Sequence, residues 1–452
     1  MVRAAVAAER AGVPAVAIHC TGFQASARAV AEGEGLPGLA LAEYPGTLET
    51  HGARSLQKNI EEVLLDRIED ALTKVGETTA AALAIAEPEP EEIIFRGTLD
   101  QVNQYFEDRA WTDGLPIIPP TRSRVEEFLR YTDRDPHEII GVLPPANREA
   151  TVWSVAVNGV MAGCKPAYMP ILLAVVEAIA DPHFGLQHAG STAGWSPIIV
   201  LNGPIIQDLG FHVGQGVLRP GNPANTTVGR FLRLFMRNVP RFLPGSNDMG
   251  TFGGNFLVVL AENEADSPWQ PMSVDLGFKP GANVVTVNSV LSMSYHLIVK
   301  GEKAEDHLDA IAKLLVNEFC GDTMTFGPEL YPMLVLTPVI AKLIAKAGFS
   351  KDAIRRYLYE RARISAREFD ADLRDTGPVS RAVREGRLPK SFVESDDPNR
   401  MLPVFHSPDE LLIVVSGDPT RNRLFVTYQV GYQGCATSRE IKLPNKRNAG
   451  GS

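Results

Sequence analysis

Residues 13–45, VPAVAIHCTGFQASARAVAEGEGLPGLALAEYP, decide the fold class. The run VPAVAIHCT (13–21) is short, apolar and β-branched, as in a buried parallel strand, and LALAEYP (39–45) repeats the signal. A helical stretch from about Ala25 to Glu34 lies between them, and the alanine-rich MVRAAVAAERAG upstream reads as a helix ending at Gly12. Downstream, Ile60, Val63, Leu64, Ile68 and Leu72 mark the core-facing stripe of a helix from about Ser55 to Val75. Helix, strand, helix, strand, helix is half of a doubly wound, Rossmann-like sheet. So little chain makes a poor layer architecture alone, so residues 1–76 are expected to form a small incomplete domain, completed by the rest of the protein or by another polypeptide.

The stretch ETTAAALAIAEPEPEE (77–92) ends in alternating Glu and Pro, which block a helix and stiffen the chain, so it is expected to be a linker. Beyond it, strands and helices alternate over 93–447 in a large α/β domain. Strand-like runs occur at PIIVLN (197–202), FLVVLAE (256–262), NVVTVNSV (283–290), MLVLT (333–337), LLIVVSG (411–417) and RLFVTYQV (423–430). Helices are expected near 98–108, 122–132, 166–180, 225–238, 303–319, 338–347 and 351–365, and 151–163 is a long apolar stretch. No internal repeat stands out, and NAGGS (448–452) reads as a flexible tail.

Composition narrows the function. With 44 Lys+Arg against 54 Asp+Glu the 452-residue chain carries a formal charge of -10, so it lacks the basic surface of a nucleic-acid binder and suits an anionic membrane surface poorly. No apolar run reaches membrane-span length, and the N-terminus has neither the basic start nor the cleavage pattern of a secretory signal, so a cytoplasmic location is expected. The four cysteines, Cys20, Cys164, Cys320 and Cys435, form no CxxC pair, which indicates neither a zinc ribbon nor a disulfide framework.

Several polar loops adjoin strands or open helices, where function concentrates. WTDGLPIIPPT (111–121) fixes Asp113 in a proline-boxed turn, either a structural Asp-Gly turn or a carboxylate at a pocket rim. NGVMAGCKPAYMP (158–170) carries Asn158 and sets Cys164 and Lys165 before a helix start, where dipole and ammonium would both lower a thiol pKa. The alternative is a cysteine filling core space beside glycines. AGSTAGWSP (189–197), with Ser191 and Thr192, and RPGNPANTTVGR (219–230), with Asn222, Asn225 and Arg230, offer substrate contacts or plain helix capping, and GSNDMGTFGG (245–254) reads as a loop with a possible substrate role. Asn202 ends a strand. There is no P-loop, dinucleotide fingerprint or GxSxG elbow, so no nucleotide is indicated and the cofactor stays open, a metal among the possibilities. His183, His188 and His212 are the weak metal candidates, without a ligand-spacing signature.

Residues 9–75 resemble the C-terminal portion of the UGSC-type selenoprotein and cysteine-protein family and, more distantly, that of the B component of glycine, sarcosine and betaine reductases. Cys20-Thr21 matches the family's strand-ending Cys-Thr, and Tyr44-Pro45-Gly46 stands where the family has a Pro-His-Pro turn. The Sec/Cys motif itself has no counterpart here. The motifs WTDGLPIIPPT, MAGCKPAYMP, VLNGP, RPGNPANTTVGR and AENEADSPWQP resemble the large domain that accompanies UGSC-type domains in bacterial proteins. The resemblance, together with the thiol at a helix start, leads to the expectation of an oxidoreductase- or lyase-type subunit acting on a small polar substrate by thiol-dependent reductive or lytic cleavage of a carbon–heteroatom bond. In that reading Cys164 is the nucleophile with Cys20 second, Asp113 the acid/base, and Asn225 with Arg230 the anion contacts. It also implies a homo- or hetero-oligomer, one partner carrying the missing motif. A metal- or cofactor-assisted hydratase or lyase, and a non-catalytic structural or regulatory subunit, stand as alternatives.

Overall fold

The computed structural model describes residues 1–73, 91–190, 192, 194–254, 258–318, 331–368, 378–386, 388, 390–393, 395, 397–429 and 434–445. Most of the expected linker and the whole expected tail lie outside the described residues.

The N-terminal unit contains α1 (Val2–Arg10), β1 (Val16–Cys20), α2 (Gln24–Gly33), β2 (Ala40–Tyr44), α3 (Ala53–Asn59) and α4 (Leu65–Thr73). β1 and β2 pair in parallel, from Val16 opposite Ala40 to Cys20 opposite Tyr44. Strand alternation sorts the side chains: Ala17 packs with Ala5, Val6, Ala31 and Leu39 beneath α1 and α2. Val16, Ile18 and Cys20 pack with Ala42, Tyr44, Leu64 and Ile68 on the opposite face. The single helix expected over 55–75 is interrupted by a π-helical turn at Ile60–Leu64. A two-stranded parallel sheet does not establish the doubly wound strand order, and the observed class is a mixed α/β fold with several sheets.

The next part of the chain forms α5 (Leu99–Asp108), α6 (Arg122–Leu129), β3 (Ile139–Leu143), β4 (Arg148–Thr151), α7 (Val152–Ala162) and α8 (Met169–Ile179). There follow β5 (Ile198–Asn202), α9 (Ile205–Asp208), α10 (Pro223–Asn238), β6 (Leu260–Ala261), α11 (Met272–Asp275), β7 (Val284–Asn288) and β8 (Ser292–Met293). The last part holds α12 (Ala304–Glu318), β9 (Met333–Leu336), α13 (Pro338–Lys346), α14 (Lys351–Arg361), β10 (Arg363–Ser365) and α15 (Pro378–Arg384). β11 (Met401–Pro403), β12 (Leu412–Val415), β13 (Leu424–Tyr428) and β14 (Thr437–Glu440) complete it.

Two four-stranded sheets, ordered β14-β7-β5-β6 and β12-β9-β13-β8, repeat one topology. In each, a central strand (β5 or β9) has a parallel neighbour on one side and an antiparallel one on the other, which pairs in turn with an antiparallel outer strand. The outer strands are exchanged: β8 follows β7 in the chain but pairs with β13, whereas β14 follows β13 but pairs with β7. Equivalent ladder bonds, Glu262 N to Leu201 O and Ser416 N to Leu336 O, superpose PIIVLN (197–202) on PMLVLT (332–337). The repeat escapes sequence inspection because it survives as one strand pattern with different helices and loops around it.

Alternation along these strands builds four layers. Ile198, Val200 and Leu260 of one sheet pack against Met333, Val335 and Val414 of the other. The opposite faces bury Ile199, Leu201 and Val285 under α7, α8 and α10, and Leu334, Leu336 and Ile413 under α12, α13 and α14. Burial on both faces explains why the strands read as continuous apolar runs.

Where β5, β6 and β12 end together, Glu262 is fully buried. Its carboxylate accepts from Asn202 Nδ2 (2.6 Å), Met272 N (2.9 Å) and Val415 N (3.4 Å), and Lys351 Nζ stands 4.0 Å away. Burial raises the Glu262 pKa from its ordinary 4.5, outweighing the attraction of Lys351 and the hydrogen bonds. A carboxyl whose pKa rises on folding contributes stability fully below the unfolded value and loses it as pH climbs through the folded value. The melting temperature of the native protein relative to Glu262→Gln should therefore be level below about pH 4.5 and fall above it; a gap that widens with rising pH would contradict this.

Candidate functional site

The Asp-Gly turn of WTDGLP places Asp113 against α10, with Gly114 at φ 83. The Asp113 side chain is 1% exposed. Arg230 donates to both of its oxygens (Nε to Oδ2 3.1 Å, Nη2 to Oδ1 3.0 Å) and also to Pro116 O, and Arg233 Nη2 donates to Oδ2. Burial pushes the Asp113 pKa up, but the hydrogen bonds and charges of Arg230 and Arg233 outweigh it and hold it below 3.8. A carboxylate so engaged cannot readily accept a further proton, which corrects the acid/base role expected for Asp113: it anchors two guanidinium groups.

Arginines at 230, 233 and 237 recur every third or fourth residue, so α10 turns them to one side, and Arg241 follows just beyond the end of the helix. Arg233 and Arg237 line a cavity of about 180 Å³ together with Asp113, Trp195, Ser196, Met236, Phe242 and Asp248. Among the described residues the Nε atoms of Arg233 and Arg237 are buried without a hydrogen-bond partner. Burial lowers the Arg237 pKa, with Asp113 opposing and Arg241 and Arg233 reinforcing the shift. Buried donors and charge lacking a full set of partners are costly, and an incoming anion removes that cost.

Two loops prominent in the sequence form the facing wall. AGSTAGWSP meets GSNDMGTFGG through Met249 N to Gly190 O (3.3 Å) and Thr251 N to Thr192 O (2.9 Å). A Cβ at Gly190 would lie 2.1 Å from Asn247 O, so glycine is required there. Trp195 is fixed by its Nε1 bond to Ser289 Oγ (3.1 Å) and stacks on Phe242 at 6.2 Å. Thr192 is exposed and Ser191 lies outside the described residues.

The remaining sequence candidates are dispersed. Cys164 follows Gly163, the left-handed C-cap of α7, and is buried among core residues. Burial pushes its thiol up to about 12, against a hydrogen bond with Thr227 and the charge of Arg230. The expected activation by a helix start and Lys165 is thus reversed: desolvation exceeds both effects, and Lys165 is exposed. Asn158 is buried, bonding Ser154 O and Asn238 Nδ2. Asn202 bonds Glu262 in the network between the sheets. Asn222 is the N-cap of α10, accepting from Ala224 N and Asn225 N. Asn225 does not face an anion: its amide bonds His212 N, His212 O and Val259 O. Arg230 is committed to Asp113 and its loop. Cys20 is half-buried at the end of β1.

His183 bonds Asp181, His212 bonds Gln215 O, and burial together with Arg3 lowers the pKa of His188. Among the described residues no group of three or more His, Cys, Asp or Glu side chains is placed to hold a metal ion. The sequence reading missed Arg233, Arg237, Arg241, Trp195 and Asp248; the arginine spacing was the available signal.

Two tests follow. Alkylation of the native protein should leave Cys164 unlabelled, with a thiolate population about a thousandfold below that of an ordinary thiol of pKa 9.0, and label it after denaturation; rapid native labelling in peptide mass spectrometry would refute its sealed position. Asp113→Ala should cost about 3–5 kcal/mol of unfolding free energy in denaturant titration, because it strands two partly buried guanidinium groups; a loss below about 1 kcal/mol would contradict the anchoring role.

No single helix among the described residues is long and apolar enough to cross a membrane. No curated protein and no solved structure matches the chain. Residues 1–74 match the model of the UGSC family, and the rest of the chain forms an additional domain.

Proposed function

We propose that the additional domain binds a small organic anion in the cavity between α10 and the Trp195 loop, and that the chain is a subunit acting on that compound in small-molecule metabolism. The observation that carries this reading is the pairing of Arg233 and Arg237, with buried unpartnered Nε atoms, on one wall with Trp195, Met236 and Phe242 around them. Guanidinium groups orient a carboxylate, and the aromatic and thioether side chains take an apolar stem. The chemistry implied by the UGSC resemblance, an oxidoreductase- or lyase-type reaction, enters as the enzymatic part of the proposal. Any nucleophilic thiol in it falls to Cys20, which is half-buried at the C-terminal edge of a parallel strand, rather than to the sealed Cys164. A cytoplasmic, oligomeric setting belongs to the same proposal.

Calorimetric titration of the full chain with butyrate and its neutral isostere butyramide tests the binding claim. Butyrate should bind at least about tenfold more tightly than butyramide, and Arg237→Gln should weaken butyrate by about 10–100-fold, the range for a lost charged hydrogen bond. Equal affinities, or no binding of either compound, would overturn it.

A further inference from the structure

We propose that the ligand of the cavity carries a second anionic group, carboxylate or phosphate, held at Arg241 beyond Arg237. This deepens the reading above and rests on it.

The argument is one of charge and placement. Four guanidinium groups, Arg230, Arg233, Arg237 and Arg241, follow one another along α10 and its extension. Among the described residues the carboxylates acting on Arg237 are Asp113 and Asp248. Asp113 is occupied by Arg230 and Arg233. Among the described residues neither Arg237 nor Arg241 has a carboxylate within ion-pair distance. The C-terminal end of a helix supplies about half an elementary negative charge, so more than one positive charge is left over. A single carboxylate at Arg233 and Arg237 removes one of them.

The second position is built rather than trailing in solvent. Arg241 is held in the left-handed region, φ 65, directly before the cavity residue Phe242, whose N–H bonds Met236 O at 3.0 Å. A left-handed arginine is held only where its surroundings overcome the backbone cost. Beside it, Ala146 N donates to Pro240 O (3.3 Å) and Arg148 Nη1 reaches Asn238 O (3.5 Å), bringing another guanidinium from β4 to the end of α10. Burial is the main cause of the lowered pKa of Arg241 and Arg148, and in Arg148 the charge of Arg241 adds to it. An anion at Arg241 offsets the cost of that partial burial. The same turn touches the UGSC-matched unit, since Asn147 Nδ2 donates to Gly33 O at 2.9 Å. The second anionic group thus lies on the side of the cavity that faces the N-terminal unit.

The test compares chain-matched acids by calorimetry on the full chain: butyrate, succinate and 3-phosphonopropionate. The native protein should bind one or both of the doubly anionic compounds at least about tenfold more tightly than butyrate, the preferred one showing which second group fits. Arg241→Gln, which keeps a non-glycine residue in the left-handed position, should reduce that preference to less than about threefold, and Arg148→Gln should reduce it in the same direction. Equal binding of mono- and dianions by the native protein, or an Arg241→Gln variant that weakens all three in equal proportion, would overturn the second position while leaving the first intact. Failure of all three to bind would remove the cavity reading and this inference with it.

Discussion

The carboxylate of Asp113 is the point on which the site depends. It is sealed from solvent, accepts from Arg230 through two nitrogens and from Arg233 through a third, and so ties the loop at 111–116 to the face of α10. An isolated carboxylate in that position would be prohibitively costly, and so would two guanidinium groups without it; together they are tolerable and rigid. The tie sets the rotation of α10 about its axis. With Arg233 fixed, Arg237 is carried one turn along the same face toward the cavity, where among the described residues no carboxylate lies within ion-pair distance of it. The electrostatic imbalance that invites an anion therefore follows from an ion pair that is itself not a ligand contact.

That helix is held in turn by the sheets. Four layers, helices outside and two sheets face to face inside, bury both faces of every central strand, and the exchange of β8 and β14 means that neither half closes its sheet without the other. Glu262 and its neighbours cross the seam between the halves at the strand ends. The cavity lies on the outer face of one sheet, between α10 and loops that enter and follow β5 and α10. It is positioned by the most constrained part of the molecule, as a preorganised binding site should be.

Much of this was legible in the sequence. The central strands were readable because burial on both faces leaves unbroken apolar runs, and the loops at 189–197 and 245–254 were marked by glycines that close packing requires. Asp113 and Arg230 stood out singly, but their pairing across more than a hundred residues is a property of tertiary structure. Cys164 misled because sequence shows adjacency to a helix start and not the depth of burial that decides a thiol's proton affinity. Asn225 misled for a similar reason: a polar residue near a helix start can bond backbone groups of two other segments, as this one does. β4 (REAT) and β14 (TSRE) have too few apolar residues to signal strands, and they form because partners are already in place.

A crystal structure of the full chain grown with butyrate tests the central claim most directly. The account places the carboxylate against Arg233 and Arg237 with the alkyl stem toward Trp195 and Phe242. A cavity without the acid at saturating concentration, or the acid bound only elsewhere, would contradict it.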